Sequence, residues 1–347
     1  MLEYIVIKNI LKWSKSMRKS GKIFKFLLFL IIIILIISGG VIWYLNTLIS
    51  NIEYKDIDKN DLSVNTNLYE DVKEEIDINK SDFEKVYNIV LFGTDSRNPE
   101  QMEAGRADTI MIASVNTIKK SIKLISIPRD TYVDVPEYGY TKINHSYAYG
   151  KEQLAIKTIN SNFGLDITDY ATIDFSGLIH IINEIGGVTV EITEEEKNYI
   201  NTKSKEAYDI SGNEYEKVIE VGNVKLSGEQ ALTHSRNRTI GDDFTRAGRQ
   251  RDVLQALINK ITSLGIEDIL TLSEDFLKEV RTNININEYI PALISIILEK
   301  DYYIENVISK QIPDISYSKS KMINGIYYFT TDYTLAKQEL YKTLYEM

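Results

Sequence analysis

Hydrophobic and polar positions fall into three regimes along this chain. The first is a run of twenty residues without a charge, Phe26 to Leu45 (FLLFLIIIILIISGGVIWYL). As a helix rising 1.5 Å per residue it spans about 30 Å, the hydrocarbon thickness of a bilayer. Trp43 and Tyr44 stand at its far end, where amphipathic rings favour the interface. A cleaved leader would use Ser38-Gly39-Gly40, but the apolar run continues past them, so the pattern predicts a retained anchor that crosses once. The second regime, residues 46–86, is polar and acidic and reads as a stalk with some helix.

From Tyr87 the pattern turns to β. The segments 87–93, 108–115 and 121–127 are apolar, β-branched runs, and Asn116 to Lys120 reads as a hairpin turn between the last two. A helix is expected at 150–163, closed by Gly164. A strand at 169–174, a helix at 176–185 and, after Gly186-Gly187, a strand at 188–193 follow. Residues 194–222 read as an exposed, irregular insertion. Ser227 is a candidate N-cap for a short helix, and a longer helix is expected at 244–263. Helices at 267–280 and 287–299, strands at 303–312 and 324–330 and a terminal helix complete the chain. Strands and helices mixed in this way predict an α/β fold, a layered domain with a central mixed β-sheet flanked by helices and preceded by one transmembrane helix.

Charge adds direction. Residues 1–25 hold seven bases and one acid, so the positive-inside rule places them in the cytoplasm and the C-terminal part outside the cell membrane. The remaining residues hold 33 bases and 49 acids, a net of −16. A domain that acidic is a poor partner for nucleic acid, whose binding rests on phosphate neutralisation. There are no cysteines, which removes disulfides and thiol chemistry, and only three histidines (His145, His180, His234), read here as structural.

The basic residues themselves are uneven. Lysines outnumber arginines 30 to 10, yet eight arginines fall within 95–130 and 236–251. Guanidinium differs from ammonium in gripping phosphate or carboxylate oxygens as a planar fork. The first window offers Asp95, Arg97, Arg106, Asp108, Arg129 and Asp130, all at strand ends or in loops. If the strands ending at Asp95 and opening at Asp108 are neighbours, the two carboxylates share one edge of the sheet. Two acids beside several arginines suit Mg²⁺ held against a polyphosphate. The second window offers Arg236, Arg238, Arg246, Arg249, Gln250 and Arg251. Of these, Arg246, Arg249 and Gln250 share a helical face, and Asp242-Asp243 are candidate caps for that helix.

These windows and the segments between them carry an ordered set of motifs: GTDSR (93–97), GRADTI (105–110), SIPRD (126–130), KINHSY (142–147), IDF (173–175), GGV (186–188), LSGEQAL (226–232) and RNR…DFTRAGRQR (236–251). Together they resemble the LytR-CpsA-Psr family of cell-wall enzymes. The resemblance implies a phosphotransferase that moves a glycopolymer from an undecaprenyl-pyrophosphate carrier to a sugar hydroxyl of peptidoglycan. It implies Asp95 and Asp108 as ligands of Mg²⁺ (or Mn²⁺ in its place), and Arg106, Arg129, Arg238, Arg246 and Gln250 as pyrophosphate contacts. Arg97, Lys142, Arg236 and Arg249 are expected to support the same pocket. Asp130 and Asp95 both stand as candidate bases. The helices at 150–163 and 176–185 are expected to form an apolar groove against the sheet for the polyprenyl tail.

The expected layout is a cytoplasmic tail (1–25), an anchor (26–45), an extracellular stalk (46–86), a catalytic domain (87–262) and a C-terminal extension packed upon it (263–347). A hydrolase using the same pocket and a non-enzymatic membrane-anchored regulator are the rival readings.

Overall fold

A computed structural model describes residues 53–95, 106–241, 243–265, 268 and 277–346 of the chain. The expected cytoplasmic tail and anchor, Arg97 and Asp242 lie outside the described residues. Among those described, no helix is long and apolar enough to cross a membrane.

The strands are β1 (Glu53–Tyr54), β2 (Val86–Thr94), β3 (Ala107–Asn116), β4 (Ser121–Ser126), β5 (Tyr132–Val135), β6 (Gly139–Lys142), β7 (Tyr170–Asp174), β8 (Val188–Ile192), β9 (Gly222–Leu226), β10 (Val280–Thr282), β11 (Val307–Gln311), β12 (Ser318–Ile323) and β13 (Ile326–Thr331). The principal helices are α1 (Leu68–Glu75), α2 (Ile143–Phe163), α3 (Phe175–Glu184), α4 (Glu194–Lys203), α5 (Gly228–Ser235), α6 (Asp243–Ser263), α7 (Ile286–Leu298) and α8 (Tyr333–Tyr345). Seven strands form one mixed sheet in the order β1-β10-β7-β2-β3-β4-β11. β2 and β3 pair antiparallel, as do β3 and β4, while β2 and β7 run parallel.

Period-two alternation sorts the two faces of the sheet. Val90, Phe92, Ile110 and Ile112 point into the larger core, where they meet Ala155, Ile156 and Ile159 of α2 and Leu340 and Leu344 of α8. Leu91, Met111 and Ile173 face the other way, towards α3 and α6. Helix α2 begins at Ile143 and is interrupted at Gly150 and Lys151, so the expected helix is its second half. It ends as expected on Gly164, whose positive φ of 67° lets its N–H reach the Asn160 carbonyl. A Cβ there would meet the Tyr341 hydroxyl at 2.5 Å.

Three expectations are corrected. The stalk is, from Glu53 on, part of the fold: β1 pairs with β10, and Leu62, Leu68, Val72 and Ile78 are buried in the larger core. Those four apolar residues are spaced too widely to show a period, but each is anchored by tertiary contacts. Residues 263–347 are not an extension either, since β10 and β11 belong to the central sheet and α8 to its core. The expected insertion at 194–222 begins with α4, fixed by a capping box between Thr193 and Glu196, and buries Ile200, Ala207, Tyr208 and Val218. A smaller departure falls at 303–312, where a short helix (Lys300–Glu305) buries Tyr303 before β11 starts.

Candidate active site

The C-terminal end of β2 and the start of β3 bring the first arginine window together. Gly93 pairs with Thr109 and Thr94 with Ala107, which leaves Asp108 as the extra residue of a β-bulge. Bulges re-aim a side chain at the edge of a sheet, and here the re-aimed group is a carboxylate. Gly93 is required by the same crowding, since a Cβ would lie 2.9 Å from the Thr109 Cβ. Exposed Asp95 follows β2 directly, and its Oδ1 accepts the Arg106 backbone N–H at 3.2 Å.

Asp108 is where the two windows meet. Its Oδ1 accepts from Arg129 Nη1 at 2.6 Å and its Oδ2 from Arg238 Nη2 at 3.2 Å. Arg129 also lies 3.4 Å from Asp130 through Nε, and Lys142 Nζ lies 2.6 Å from the other Asp130 oxygen. Asp130 is only 5% exposed. With both oxygens facing cations, it positions Arg129 and Lys142 rather than meeting solvent. His145, read from sequence as structural, lies close enough to Arg106 and Lys142 for burial and those two cations to lower its pKa; its Nδ1 is 2.8 Å from the Thr141 hydroxyl.

In the second window the expected shared face divides. Arg246 and Gln250 line a small cavity with Asp108, Thr109, Arg236 and Arg238. Arg249 turns away: its Nε donates to Glu196 Oε1 at 2.6 Å, and its Nη1 and Nη2 donate to the carbonyls of Asn237 and Ile240 at 3.2 and 2.8 Å. Two of its guanidinium nitrogens therefore fix the loop that presents Arg238, and the third ties that loop's helix to α4. Arg236 lies over the Phe175 ring at 4.5 Å. Asp174, quoted from sequence within the IDF motif but given no role, caps α3 through the Gly177 N–H at 2.8 Å and lines the same cavity.

The small cavity continues into an apolar groove of about 350 Å³ through Gly93, Thr109, Ile173, Leu178, Ser235 and Gln250. The groove's walls are Leu178 and Ile181 of α3 and Val253, Leu254, Leu257 and Ile261 of α6, over a floor of Leu91, Met111 and Ala171. One of the two helices expected to line it is thus correct. The other, α2, covers the opposite face of the sheet. The missed partner is α6, whose apolar positions 253, 254, 257 and 261 follow helical spacing but are preceded by the more conspicuous arginines.

His234 is 1% exposed on α5, and neither ring nitrogen has a hydrogen-bond partner among the described residues. Burial, opposed by Glu196 and reinforced by Arg249, lowers its pKa to about 4. The folded protein keeps the imidazole neutral while the unfolded chain takes up a proton below about 6.5, so the unfolded state binds more protons between those values. Stability should therefore be full above pH 6.5 and decline as the pH falls towards 4. Thermal unfolding of His234→Leu across that range should show a flatter profile; an unchanged slope would assign the decline to other groups.

Comparison with known proteins follows the same outline. The LytR_cpsA_psr family model matches residues 52–344. The polyisoprenyl-teichoic acid–peptidoglycan teichoic acid transferase TagU of Enterococcus faecalis is 35% identical over 199 residues, covering 55% of this chain and 60% of that protein. TagU of Bacillus cereus is 31% identical over 321 residues, covering 89% of this chain and 92% of that protein. A solved structure of TagT bound to LI-WTA superimposes with a TM-score of 0.60 at 25% identity, covering 78% of this chain and 95% of that one. With a family match over nearly all of its folded part, this chain belongs to the LytR-CpsA-Psr family.

Proposed function

We propose that this chain is a phosphotransferase that takes a teichoic acid from a polyprenyl-pyrophosphate carrier and joins it to a sugar hydroxyl of peptidoglycan. The observation that carries this reading is the continuity of an apolar groove with a cavity walled by Asp108, Arg236, Arg238, Arg246 and Gln250. A ligand that fits both is amphiphilic, with a long apolar tail and an anionic head. The relatives' names supply the polymer and the acceptor.

In this mechanism the groove takes the tail and the arginines take the pyrophosphate. The acceptor oxygen forms a bond to the polymer-side phosphorus while the bond to the bridging oxygen breaks, and polyprenyl phosphate leaves. Negative charge grows on the leaving phosphate and the phosphoryl oxygens, which guanidinium groups fixed in advance stabilise without reorganisation. Arg129 and Arg238 are fixed by Asp108, and the Arg238 loop by Arg249. Arg106 and Lys142 flank the same strand ends. Asp95, exposed beside them, is better placed than Asp130 to accept the hydroxyl proton.

Asp95 and Asp108 also fit Mg²⁺ or Mn²⁺: both are hard oxygen donors at the ends of paired strands, and such ions take one or two carboxylates and fill the remaining positions with water and phosphate. When bound, the ion would neutralise pyrophosphate oxygens and make a coordinated hydroxyl more acidic. The uncharged run 26–45 would hold the domain at the outer face of the cell membrane, where the carrier lipid resides.

Incubating the full-length protein in detergent with a lipid-linked teichoic acid, peptidoglycan and Mg²⁺ tests the reaction. Polymer covalently bound to peptidoglycan is expected; free polymer as the sole product would instead indicate a hydrolase. The groove assignment is tested separately by Leu257→Trp, which fills its depth. The KM for a long-chain carrier should rise about tenfold, the transfer energy of one or two methylenes, while a carrier of two isoprene units is turned over normally.

A further inference from the structure

The solvent-facing side of the β5–β6 hairpin is built from aromatic rings. Period-two alternation sends Val133 and Val135 into the larger core with Phe92 and Ile110, and leaves Tyr132, Tyr140 and Lys142 on the other side. Such outward positions are ordinarily polar. Tyr140 is 62% exposed, with its ring 5.3 Å from Tyr132, which in turn lies edge to face with buried Tyr328 at 4.8 Å. At the hairpin turn, Tyr138 stacks on Tyr149 of α2, with centroids 4.6 Å apart and planes 23° from parallel. Those two rings are 55% and 47% exposed. Every exposed large hydrophobic residue between Arg129 and Gly150 is a tyrosine. Three exposed rings steadied by their neighbours, with no exposed aliphatic side chain among them, mark a surface for a ligand that is itself half apolar and half polar.

This surface adjoins the arginines. The Ile143 and Asn144 N–H groups, at the start of α2, donate to the carbonyls of Thr131 and Arg129 at 2.9 and 3.2 Å. His145, whose pKa is lowered by burial, Arg106 and Lys142, has its ring 5.8 Å from that of Tyr149. Lys142 Nζ lies 2.6 Å from Asp130 and 5.9 Å from the rings of Tyr327 and Tyr328. Tyr147 of α2 lies 5.2 Å from the Phe92 ring, so the hairpin and the start of α2 cover one face of the sheet, while the apolar groove lies over Leu91 and Met111 on the other. Asp108 stands between them. Its Oδ2 accepts from Arg238, which lines the cavity opening into the groove, and its Oδ1 from Arg129, which leads through Asp130 to Lys142.

Phosphoryl transfer places the attacking and leaving oxygens roughly in line through phosphorus. With polyprenyl phosphate leaving on the groove side, the acceptor must enter from the opposite face, where the tyrosines are. A pyranose suits such rings, since it has a flat side of C–H groups rimmed by hydroxyls, and tyrosine has an apolar face with a hydroxyl at its edge. Asp134 and Glu137, exposed in the same hairpin, are acids that repel a polyphosphate but not an uncharged sugar chain. We infer, on the transferase reading above, that Tyr138, Tyr140 and Tyr149 bind the glycan strand of peptidoglycan and hold its acceptor hydroxyl in line with the phosphorus.

The test uses the full-length protein in detergent with Mg²⁺, a lipid-linked teichoic acid and, as acceptor, glycan strands freed of their peptides. Tyr138→Ala with Tyr149→Ala should raise the KM for the strands about tenfold, the scale of one or two lost ring contacts, with kcat and the KM for the lipid carrier held. Tyr138→Phe with Tyr149→Phe keeps both ring faces and should retain the wild-type KM. An unchanged acceptor KM in the alanine protein would overturn the inference. A rise confined to the KM of the carrier would also overturn it, since the rings would then hold the polymer. If the double alanine protein melts early, Tyr140→Ala, the most exposed of the three rings, is measured in its place with the same expectation. Binding is measured separately by sedimentation with polymer-free peptidoglycan, which should retain the wild-type protein about tenfold better than the alanine protein; equal retention would overturn the inference. If the unmodified protein transferred no polymer, the transferase reading would fail while sedimentation still decided whether the rings bind glycan.

Discussion

Asp108→Asn should lower the rate of polymer transfer by about 10²–10³-fold, the usual loss when one fixed electrostatic group is removed from a reacting centre. The size follows from what the carboxylate holds. One oxygen fixes Arg129 and the other Arg238, and these arginines come from windows more than a hundred residues apart. The asparagine is nearly isosteric but has one acceptor oxygen and no charge, so one guanidinium loses its partner. The same change distinguishes a metal ligand from a mere positioning group. If Asp108 binds Mg²⁺, the Mg²⁺ concentration giving half-maximal rate should rise along with the fall in kcat; if that concentration is unchanged, the carboxylate acts only through the arginines. The bulge lies where β2 ends and β3 begins, outside the apolar core, so the melting temperature should hardly move. A large drop in Tm would mean that the loss of rate is a loss of fold.

Glu152→Ala should have the opposite signature, unfolding the protein rather than disabling its site. Glu152 Oε1 accepts from Arg281 Nη2 at 2.6 Å, Tyr147 at 2.8 Å and Thr172 at 3.1 Å, and both members of the ion pair are at most 2% exposed. Burial alone would raise the pKa of Glu152, but the Arg281 charge and these hydrogen bonds outweigh it and hold the pKa below its usual value. Removing one partner strands a buried guanidinium, which costs about 3–5 kcal/mol and lowers Tm on the order of 10 °C. Replacing both members by methionine removes the stranded charge and should recover most of that loss. Failure of the double replacement to exceed Glu152→Ala in stability would show that the network's hydrogen bonds, not charge balance, set the cost.

Much of the site could be read from residue types alone. Eight arginines in two windows of a lysine-rich chain foretold convergence, and β-patterned runs on either side of residues 95 and 108 foretold paired strands. What sequence could not show was direction. Arg249 has the same spacing as Arg246 and Gln250, yet it faces Glu196, because rotation about a helix axis is decided by what packs beside it. Helices α2 and α6 are both apolar enough to cover a sheet, and only tertiary packing chooses which face each takes. The folded part of the expected stalk was hidden because it pairs and packs with residues more than two hundred positions away, through β1 with β10. Arg281 lies outside both arginine windows, and its partner Glu152 is 129 residues distant, so nothing local marked either as a buried pair.

The C-terminal helix α8 reaches into the core beneath the strand that leads to Asp95: the Tyr345 hydroxyl accepts from the Asn88 amide at 2.9 Å, and the Leu344 carbonyl from Lys123 at 2.9 Å. These contacts join residues more than two hundred positions apart in sequence. A nascent chain must therefore be delivered as far as α8 before β2 and β4 acquire their final partners, and one that holds all the arginines but not α8 still lacks a finished scaffold for them. Helix α8 thus acts as a timer on the chemistry, and a chain stopped before Tyr333 would carry every site residue but an incomplete core.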